Sequence, residues 1–265
     1  PLPVILSIPH GGMAIPMGVA QSLAIDRRTI YNECDLWVDQ LFDFGHVDIR
    51  DWLPASTGPG VLSAVSMPVA RVFIDVNRPP TELSNPDGPV KTITSYGEVI
   101  YHDLIPDELK QNLVEQYWRP FHRDLQDVLD RHDDRVRLCL DCHNMAQLGP
   151  PQYGDPGRPR PLICLANLGN DEGEPHAVEA LVSCPPPLIR RAAAVAEEIF
   201  SDLCLLEPGN DSPPPVVAIN QPYRGGYILR EFAAKSSGDV GRIPPRSPCP
   251  GLLIEVNRGL FVGRQ

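Results

Sequence analysis

The sequence predicts an α/β fold in which helices alternate with a buried β-sheet. Four short apolar runs each end in polar or charged residues, and helical patterns separate them. Runs of this length are typical of strands buried on both faces of a sheet. The predicted strands cover Val4 to Pro9, Val69 to Val76, Val136 to Leu140 and Gly251 to Ile254. With 265 residues, the chain is expected to form a single domain over positions 1–265.

Helices are predicted at about Leu36 to Phe44, about Asp107 to His132 and about Pro187 to Cys204. In the middle stretch, apolar residues recur every three to four positions, as in an amphipathic helix. Pro120 lies inside this stretch and is expected to bend or split it. The 31 prolines concentrate between the predicted elements, which indicates long surface loops over a packed core.

Composition limits the expected partners and compartment. The chain has 23 basic and 34 acidic residues, a net charge of -11 and no basic run, so no nucleic-acid partner is expected. No apolar stretch reaches the roughly 20 residues that span a bilayer, so no membrane partner is expected either. The seven cysteines are irregularly spaced, as in a protein with reduced thiols. We therefore expect a soluble, cytoplasmic protein.

Polar side chains at the predicted strand ends indicate one shared site, because ligands of α/β sheets collect beyond the carboxyl ends of strands. His10 follows the first strand and enters a glycine turn, Gly11-Gly12, which leaves room for a ligand. By itself, such a histidine is more often a hydrogen-bonded turn residue. The other strand ends therefore have to supply the remaining evidence.

The segment Asp141-Cys142-His143 ends the third predicted strand. Positions two apart on a strand share a face, so Asp141 can orient His143 as carboxylates orient metal-bound imidazoles. A buried pair without metal is the alternative. Cys142 points the opposite way, which argues against a Cys142–His143 nucleophilic pair. The pair Cys139 and Cys142 is discounted as a redox or zinc motif, since residues three apart diverge and no second CxxC exists.

Acidic residues offer a further ligand and a base. Glu33 and Asp35 lie near the start of a predicted helix, where acidic side chains commonly offset the helix dipole. A catalytic zinc takes three protein ligands from histidine and carboxylate, so either residue could instead join the two histidines. Glu255 ends an apolar strand, where burial raises the pKa and favours proton transfer. A salt bridge with Arg258 is the alternative for Glu255.

Arginines supply candidate contacts to a substrate. Arg71 and Arg78 flank the second predicted strand, and a guanidinium can bind a carboxylate or stabilise an oxyanion. Solvated arginines at strand ends are also common. The segment Arg224-Gly225-Gly226 is typical of a loop that a ligand approaches, although a plain hairpin turn has the same pattern.

Seven motifs, in the same chain order, resemble those of N-formylglutamate amidohydrolases. They are Ile8 to Gly12, Asp35 to Asp39, Ile74 to Pro79, Tyr117 to His122, Asp141 to His143, Arg224 to Ile228 and Ile254 to Asn257. The resemblance covers nearly the whole chain. That family is similar in fold to zinc carboxypeptidases and aspartoacylases. The resemblance therefore implies a three-layer, phosphorylase/hydrolase-like fold with a mixed β-sheet flanked by helices.

The resemblance also implies the chemistry, in which a zinc-bound water hydrolyses an N-acyl amino acid. It implies one Zn²⁺, or another divalent metal, on His10, Asp35 and His143, with Glu33 as the reserve carboxylate. The resemblance implies catalytic roles for Glu255, as the general base, and for Arg71, at the scissile carbonyl. The substrate-binding residues that it implies are Asn77, Arg78, Arg224, Gly226 and Arg230, of which Arg230 would hold a second carboxylate.

Two departures bear on the substrate. His10-Gly11-Gly12 replaces the usual His-Ser-Gly, and Asp141-Cys142-His143-Asn144 replaces Asp-x-His-Ser. The expected substrate is a small acidic N-acyl amino acid such as N-formyl-L-glutamate, which would place the enzyme in histidine degradation. The alternatives are a zinc amidase for another N-acyl, cyclic-imide or peptide-like substrate, a non-catalytic small-molecule-binding protein and a cysteine hydrolase. The oligomeric state is left open.

Overall fold

A computed structural model describes residues 1–45, 60–177, 180–203, 213–234 and 249–262. Its strands form one mixed sheet in the order β2-β1-β3-β6-β4-β5. They are β1 (Leu2–Ile8), β2 (Val61–Ser66), β3 (Leu138–Met145), β4 (Ile163–Ala166), β5 (Val217–Ile219) and β6 (Gly251–Asn257). Strand β4 runs antiparallel to β6, while the other neighbouring pairs are parallel. The predicted mixed α/β sheet is confirmed.

The described helices are α1 (Arg27–Glu33), α2 (Val38–Leu41), α3 (Asp107–Leu113), α4 (Arg119–Arg131), α5 (Pro186–Phe200) and α6 (Tyr227–Leu229). A π-helical turn over Val114–Trp118 joins α3 to α4. Pro120 lies in the first turn of α4, where its missing N–H costs little. The long predicted helix is therefore split just before this proline. Within the described ranges, no helix is long and apolar enough to cross a bilayer.

Side-chain alternation along the central strands separates two apolar layers. Ile5 of β1 and Cys139 of β3 join the core that includes α3 and α4. Their neighbours Leu6 and Leu140 point to the other face, where they pack with α2 and α5. This period of two is the expected geometry of a strand. The sheet is thus covered by helices on both faces, as the resemblance implied.

The predicted strand over Val69 to Val76 is wrong. This segment forms buried turns, in which the backbone N–H groups of Phe73 and Ile74 both donate to the carbonyl of Ala70. Isolated bridges at Val69 and Ile74 are its contacts of strand type. Its apolar side chains pack into the core without joining the sheet, so the apolar run reports burial rather than strand pairing. Strand β2 lies just before it and was not predicted.

The predicted helix over Leu36 to Phe44 is also wrong in extent. Helix α1 ends at Glu33, and α2 covers Val38–Leu41 alone. Trp37 has φ 54, in the left-handed region, which a continuous right-handed helix excludes. Asp35 therefore lies in the connection between the two helices rather than at a helix start. Helix α5 confirms the third prediction, although Cys204 lies outside the described residues.

Candidate active site

A cavity of about 570 Å³ opens at the carboxyl ends of β1, β3 and β6. His10 follows β1 by two residues, while His143 and Glu255 lie near the ends of β3 and β6. Asp35 reaches the same cavity from the connection between α1 and α2. The cavity therefore brings together the residues that the sequence marked at separate elements.

Strand alternation explains how the site grows out of the core. Cys139, Asp141 and His143 occupy alternate positions of β3 and so share one face. That face is apolar at Cys139 and becomes polar toward the carboxyl end, where the Ser7 hydroxyl donates to Asp141 at 3.0 Å. His143 is paired in register with Glu255 of β6. Laterally paired residues point to the same side of a sheet, which places both side chains at the cavity.

Three buried side chains present ligand atoms to one point. Nδ1 of His143 lies 3.0 Å from Oδ2 of Asp35 and 3.1 Å from Nδ1 of His10. Nδ1 of His10 lies 3.6 Å from the same Asp35 oxygen. Ligands held about 2.0–2.2 Å from a tetrahedral zinc are separated by roughly 3.3 Å. Two imidazole nitrogens and a carboxylate oxygen at these separations fit a divalent metal such as zinc.

The outer nitrogen of each histidine contacts a carboxylate. Nε2 of His10 donates to Oδ1 of Asp75 at 2.8 Å. Nε2 of His143 lies 3.2 Å from Oδ2 of Asp141, close enough for an electrostatic contact but without hydrogen-bond geometry. The hydrogen bond to Asp75 keeps the hydrogen of His10 on Nε2 and turns its Nδ1 lone pair toward the other ligand atoms. Asp75 lies within the Ile74 to Pro79 motif, but its local sequence does not indicate this contact.

The protonation of these groups follows from burial and charge. Burial alone would raise the pKa of Asp35, but hydrogen bonds to His10 and His143 outweigh it and hold the pKa below its usual range. Burial would lower the pKa of His143, yet the negative charge of Asp141 keeps it raised. Asp35 is therefore ionised, which is the state in which a carboxylate binds a metal.

Glu33, the reserve carboxylate, is held elsewhere. Its two carboxylate oxygens accept from the backbone N–H and the hydroxyl of Ser95, at 3.0 and 2.9 Å. Arg258, the alternative partner of Glu255, instead donates to the backbone carbonyls of Asn32 and Cys34. These contacts fix the turn that carries Asp35. The structure thus places Asp35, rather than Glu33, beside the two histidines, a choice that the sequence left open.

Glu255 has the environment of a proton-transfer group. It lines the cavity and is 7% exposed. Burial raises its pKa to about 7, and the positive charge of His143 partly opposes that rise. A carboxyl group with a pKa near neutrality can both accept and return a proton at working pH.

Cys142, by contrast, points away from this face, and burial raises the pKa of its thiol, which argues against a cysteine nucleophile.

Arg71 and Arg78 both line the cavity. Nη2 of Arg71 donates to Asp75 at 3.1 Å, and its Nη1 lies 3.9 Å from Asp35. Arg78 donates to the carbonyl and the carboxylate of Asp87 at 3.1 and 2.9 Å. Both guanidinium groups are therefore anchored at the cavity wall by carboxylates.

Asn77 and Gly226 are in direct contact. The side-chain oxygen of Asn77 accepts from the backbone N–H of Ile228 at 2.9 Å. A Cβ added to Gly226 would lie 2.2 Å from that oxygen, so any larger residue would displace the Asn77 amide. The Asn77 amide is thus held with its oxygen toward α6, which leaves its N–H groups for the cavity that both residues line.

The expectation that Arg224 and Arg230 bind substrate is not supported by their positions. Both side chains are exposed, and neither lines the cavity. Arg230 follows α6, which buries Ile228 and Leu229, and one further residue along a helix turns the side chain outward. Gly226 does line the cavity, and the substrate contacts of all three residues stay predictions.

Sequence reasoning missed two arginines of the Pro-rich segment after β3. Arg160 is 2% exposed and is held by both carboxylate oxygens of Asp155, at 2.8 and 2.9 Å. Arg158 is exposed at the edge of the same cavity. Their sequence signal, arginines alternating with prolines, is indistinguishable from that of a surface loop. Only the fold places them beside the strands.

Comparison with known proteins gives the class of this chain, which is an amidohydrolase. A family model described as N-formylglutamate amidohydrolase matches residues 2–262. The chain therefore belongs to the N-formylglutamate amidohydrolase family. It is 27% identical, over 239 residues, to a protein of Pseudomonas putida named N-formylglutamate deformylase, covering 87% of this chain and 74% of that one.

Solved structures share the fold. The N-formylglutamate amidohydrolase of Ralstonia eutropha JMP134 aligns with a TM-score of 0.63 at 19% identity, covering 98% of this chain and 83% of that chain. A gene product of Agrobacterium tumefaciens aligns with a TM-score of 0.58 at 15% identity, covering 98% of this chain and 81% of that chain. At these identities, the likeness concerns the fold.

Proposed function

We propose that this enzyme is a zinc-dependent deacylase that hydrolyses the amide bond of an N-formyl amino acid, with N-formyl-L-glutamate as the favoured substrate. The observation that carries the proposal is the convergence of His10, Asp35 and His143 on one buried point. Glu255 lines the same cavity, beside His143 in the sheet. The names of the family and of the Pseudomonas putida relative support the acyl group and the amino acid.

His10, Asp35 and His143 would hold the metal. A bound divalent metal supplies Lewis-acid activation of water and of an amide carbonyl. The carboxylates of Asp75 and Asp141 orient the two imidazoles for this role. Zinc is the favoured ion because this ligand set is common in zinc hydrolases, and the three separations suit tetrahedral coordination.

Glu255 moves the proton. In its ionised form, the carboxylate accepts a proton from the attacking water as the new C–O bond forms at the amide carbonyl. Glu255 then donates that proton to the amide nitrogen as the C–N bond breaks. The products are formate and the free amino acid. Arg71, at the cavity wall, faces the carbonyl oxygen and stabilises its developing negative charge.

The cavity wall favours an acidic substrate. Five arginines line it, namely Arg71, Arg78, Arg158, Arg160 and Arg258. Among the cavity residues that the structure describes, only Arg158 has a guanidinium with no carboxylate or hydrogen-bond partner. Arg158 is thus the group most free to meet the side-chain carboxylate of a substrate. Asn77 and Arg78 are assigned to the α-carboxylate.

The experiment is a direct assay on purified enzyme. Formate and glutamate release from N-formyl-L-glutamate should be measured beside N-acetyl-L-glutamate, a cyclic imide and a formylated dipeptide. We expect turnover of the first compound, and loss of turnover in Glu255→Gln without loss of metal. Preferred turnover of another compound would redirect the proposal to a related amidase. Metal binding without turnover of any compound would indicate a non-catalytic binding protein.

A further inference from the structure

A buried arginine lines the cavity without being available to a substrate. Arg160 donates through Nε and Nη2 to the two carboxylate oxygens of Asp155. Its guanidinium lies 4.9 Å from the ring centroid of Tyr223 and 5.6 Å from that of Tyr153. These contacts fix Arg160 in place and neutralise much of its charge.

The remaining contact of Arg160 decides how Tyr223 is oriented. Nη1 of Arg160 donates to the Tyr223 hydroxyl at 2.8 Å. A guanidinium has donors and no acceptor, so the phenol oxygen must be the acceptor. The phenol hydrogen is then left to point elsewhere. Within the described residues, the structure gives this hydrogen no acceptor, and Tyr223 lines the cavity.

Tyr223 shares the cavity with the groups that are proposed to act on the amide. The negative charge of Glu255 and the positive charge of Arg71 both act on its phenol. Burial, together with the charge of Glu255, raises the pKa of Tyr223 well above its usual value, so the phenol keeps its proton. A neutral donor that lines the same cavity as Glu255 and Arg71 suits the carbonyl oxygen of the scissile amide.

We propose that Tyr223 donates a hydrogen bond to the amide carbonyl oxygen as it becomes negative, and that Arg160, held by Asp155, is the positioning residue that makes Tyr223 a donor. Donors that are oriented in advance toward a developing oxyanion stabilise the transition state more than the ground state. The inference rests on the proposed deformylase function. It adds a catalytic residue and a positioning residue to Glu255 and Arg71.

The first test replaces Tyr223 by phenylalanine, which keeps the ring and removes the hydroxyl. We expect kcat on N-formyl-L-glutamate to fall about 10- to 100-fold while KM changes less than about 3-fold, since losing one oxyanion donor acts mainly on the transition state. Tyr101→Phe is the matched control. Tyr101 is buried and lies outside the cavity lining, and its hydroxyl has no hydrogen-bond partner among the described residues, so kcat should stay at the wild-type value.

The second test uses a double-mutant cycle with Arg160→Lys. Lysine keeps the positive charge but cannot hold Asp155 by two bonds and Tyr223 by a third. If Arg160 acts through Tyr223, the double variant should lose no more kcat than Tyr223→Phe alone. If Arg160 binds the substrate itself, the two losses multiply and Arg160→Lys raises KM. The latter result would overturn the positioning role.

A binding measurement gives a readout independent of turnover. A phosphonamidate of glutamate, which mimics the tetrahedral anion, should bind the zinc-loaded Tyr223→Phe variant about 10- to 100-fold more weakly than the wild type. Equal binding together with unchanged kcat would overturn the role of Tyr223 while leaving the proposed function intact. A wild-type enzyme that neither turns over the substrate nor binds the phosphonamidate would refute both.

Discussion

Nε2 of His10 donates to Oδ1 of Asp75 at 2.8 Å, and this contact links the proposed metal site to the arginines of the cavity wall. The same carboxylate accepts from Nη2 of Arg71 and from the backbone N–H of Asn77. Burial would raise the pKa of Asp75, but the positive charges of His10 and the two nearby arginines hold it well below its usual range. Asp75 is therefore ionised, and its carboxylate binds both the proposed metal ligand His10 and the cavity-wall residue Arg71.

Replacing Asp75 by asparagine should weaken zinc binding by about 10- to 100-fold, because His10 loses the carboxylate that orients its ring. Competition with a chromophoric chelator measures this affinity. Asp107→Asn is the control, since Asp107 is 85% exposed on α3 and should leave zinc affinity unchanged. Equal affinity in all three proteins would show that Asp75 does not support the metal ligand.

The buried carboxylate of Glu255 should cost stability at high pH. Its folded pKa of about 7 lies above the ordinary value of 4.5, so the folded protein binds this proton more tightly than the unfolded chain does. The destabilisation is absent below about pH 4.5, grows as pH rises and is complete above about pH 7. Glu255→Gln should therefore stabilise the metal-free protein by about 1–3 kcal/mol at pH 8.

Denaturant unfolding at pH 8 and at pH 5 tests this expectation. The gain should shrink toward zero at the lower pH. Glu197→Gln on α5 provides the control, since Glu197 is exposed and should show no such pH-dependent gain. A Glu255→Gln variant that is less stable than the wild type at pH 8 would contradict the expectation that the ionised, buried Glu255 destabilises the protein.

The same pKa predicts the pH dependence of catalysis. Glu255 must be ionised to accept a proton, so kcat/KM should fall on the acid side as its carboxylate is protonated, with a midpoint that bound zinc lowers from the metal-free value of about 7. A pH–rate profile on N-formyl-L-glutamate between pH 5 and 8 measures this limb. Rates that stay constant over that range would exclude Glu255 as the base.

Arg158 should discriminate acidic from neutral side chains. Arg158→Gln should lower kcat/KM for N-formyl-L-glutamate by about 10- to 100-fold, the value of a charge-assisted contact. Activity on N-formyl-L-glutamine should change little. Arg123→Gln is the control, because Arg123 is 69% exposed on α4, away from the cavity. An equal loss on both substrates would show that Arg158 does not read the side chain.

Sequence patterns predicted those features of the site that depend on a single strand or helix. The alternation on β3 placed Asp141 beside His143, and the burial of Glu255 followed from its apolar strand. The pattern failed where a contact joins distant elements. Neither the bond between His10 and Asp75, 65 positions apart, nor the packing of Arg160 against Tyr223 has a local signature.

The choice between Glu33 and Asp35 shows the same limit. Both are acidic, lie two positions apart and precede an apolar segment, so helix propensity and hydrophobic pattern do not distinguish them. Ser95, from a loop 62 positions away, binds Glu33, while the extended backbone at Cys34 ends α1 and the left-handed residue Trp37 precedes α2. Long-range packing therefore decides which carboxylate meets the histidines. The buried turn at Val69 to Val76 escaped prediction for the same reason, since burial alone made it apolar.

His10, Asp35 and His143 are proposed to hold a metal that the hydrolysis requires. The most direct measurement is the rate of formate release from N-formyl-L-glutamate after chelator treatment, with the metal content measured in the same sample. We expect activity to disappear with the metal and to return on addition of one equivalent of zinc. Full activity in protein shown to be free of metal would contradict this proposal.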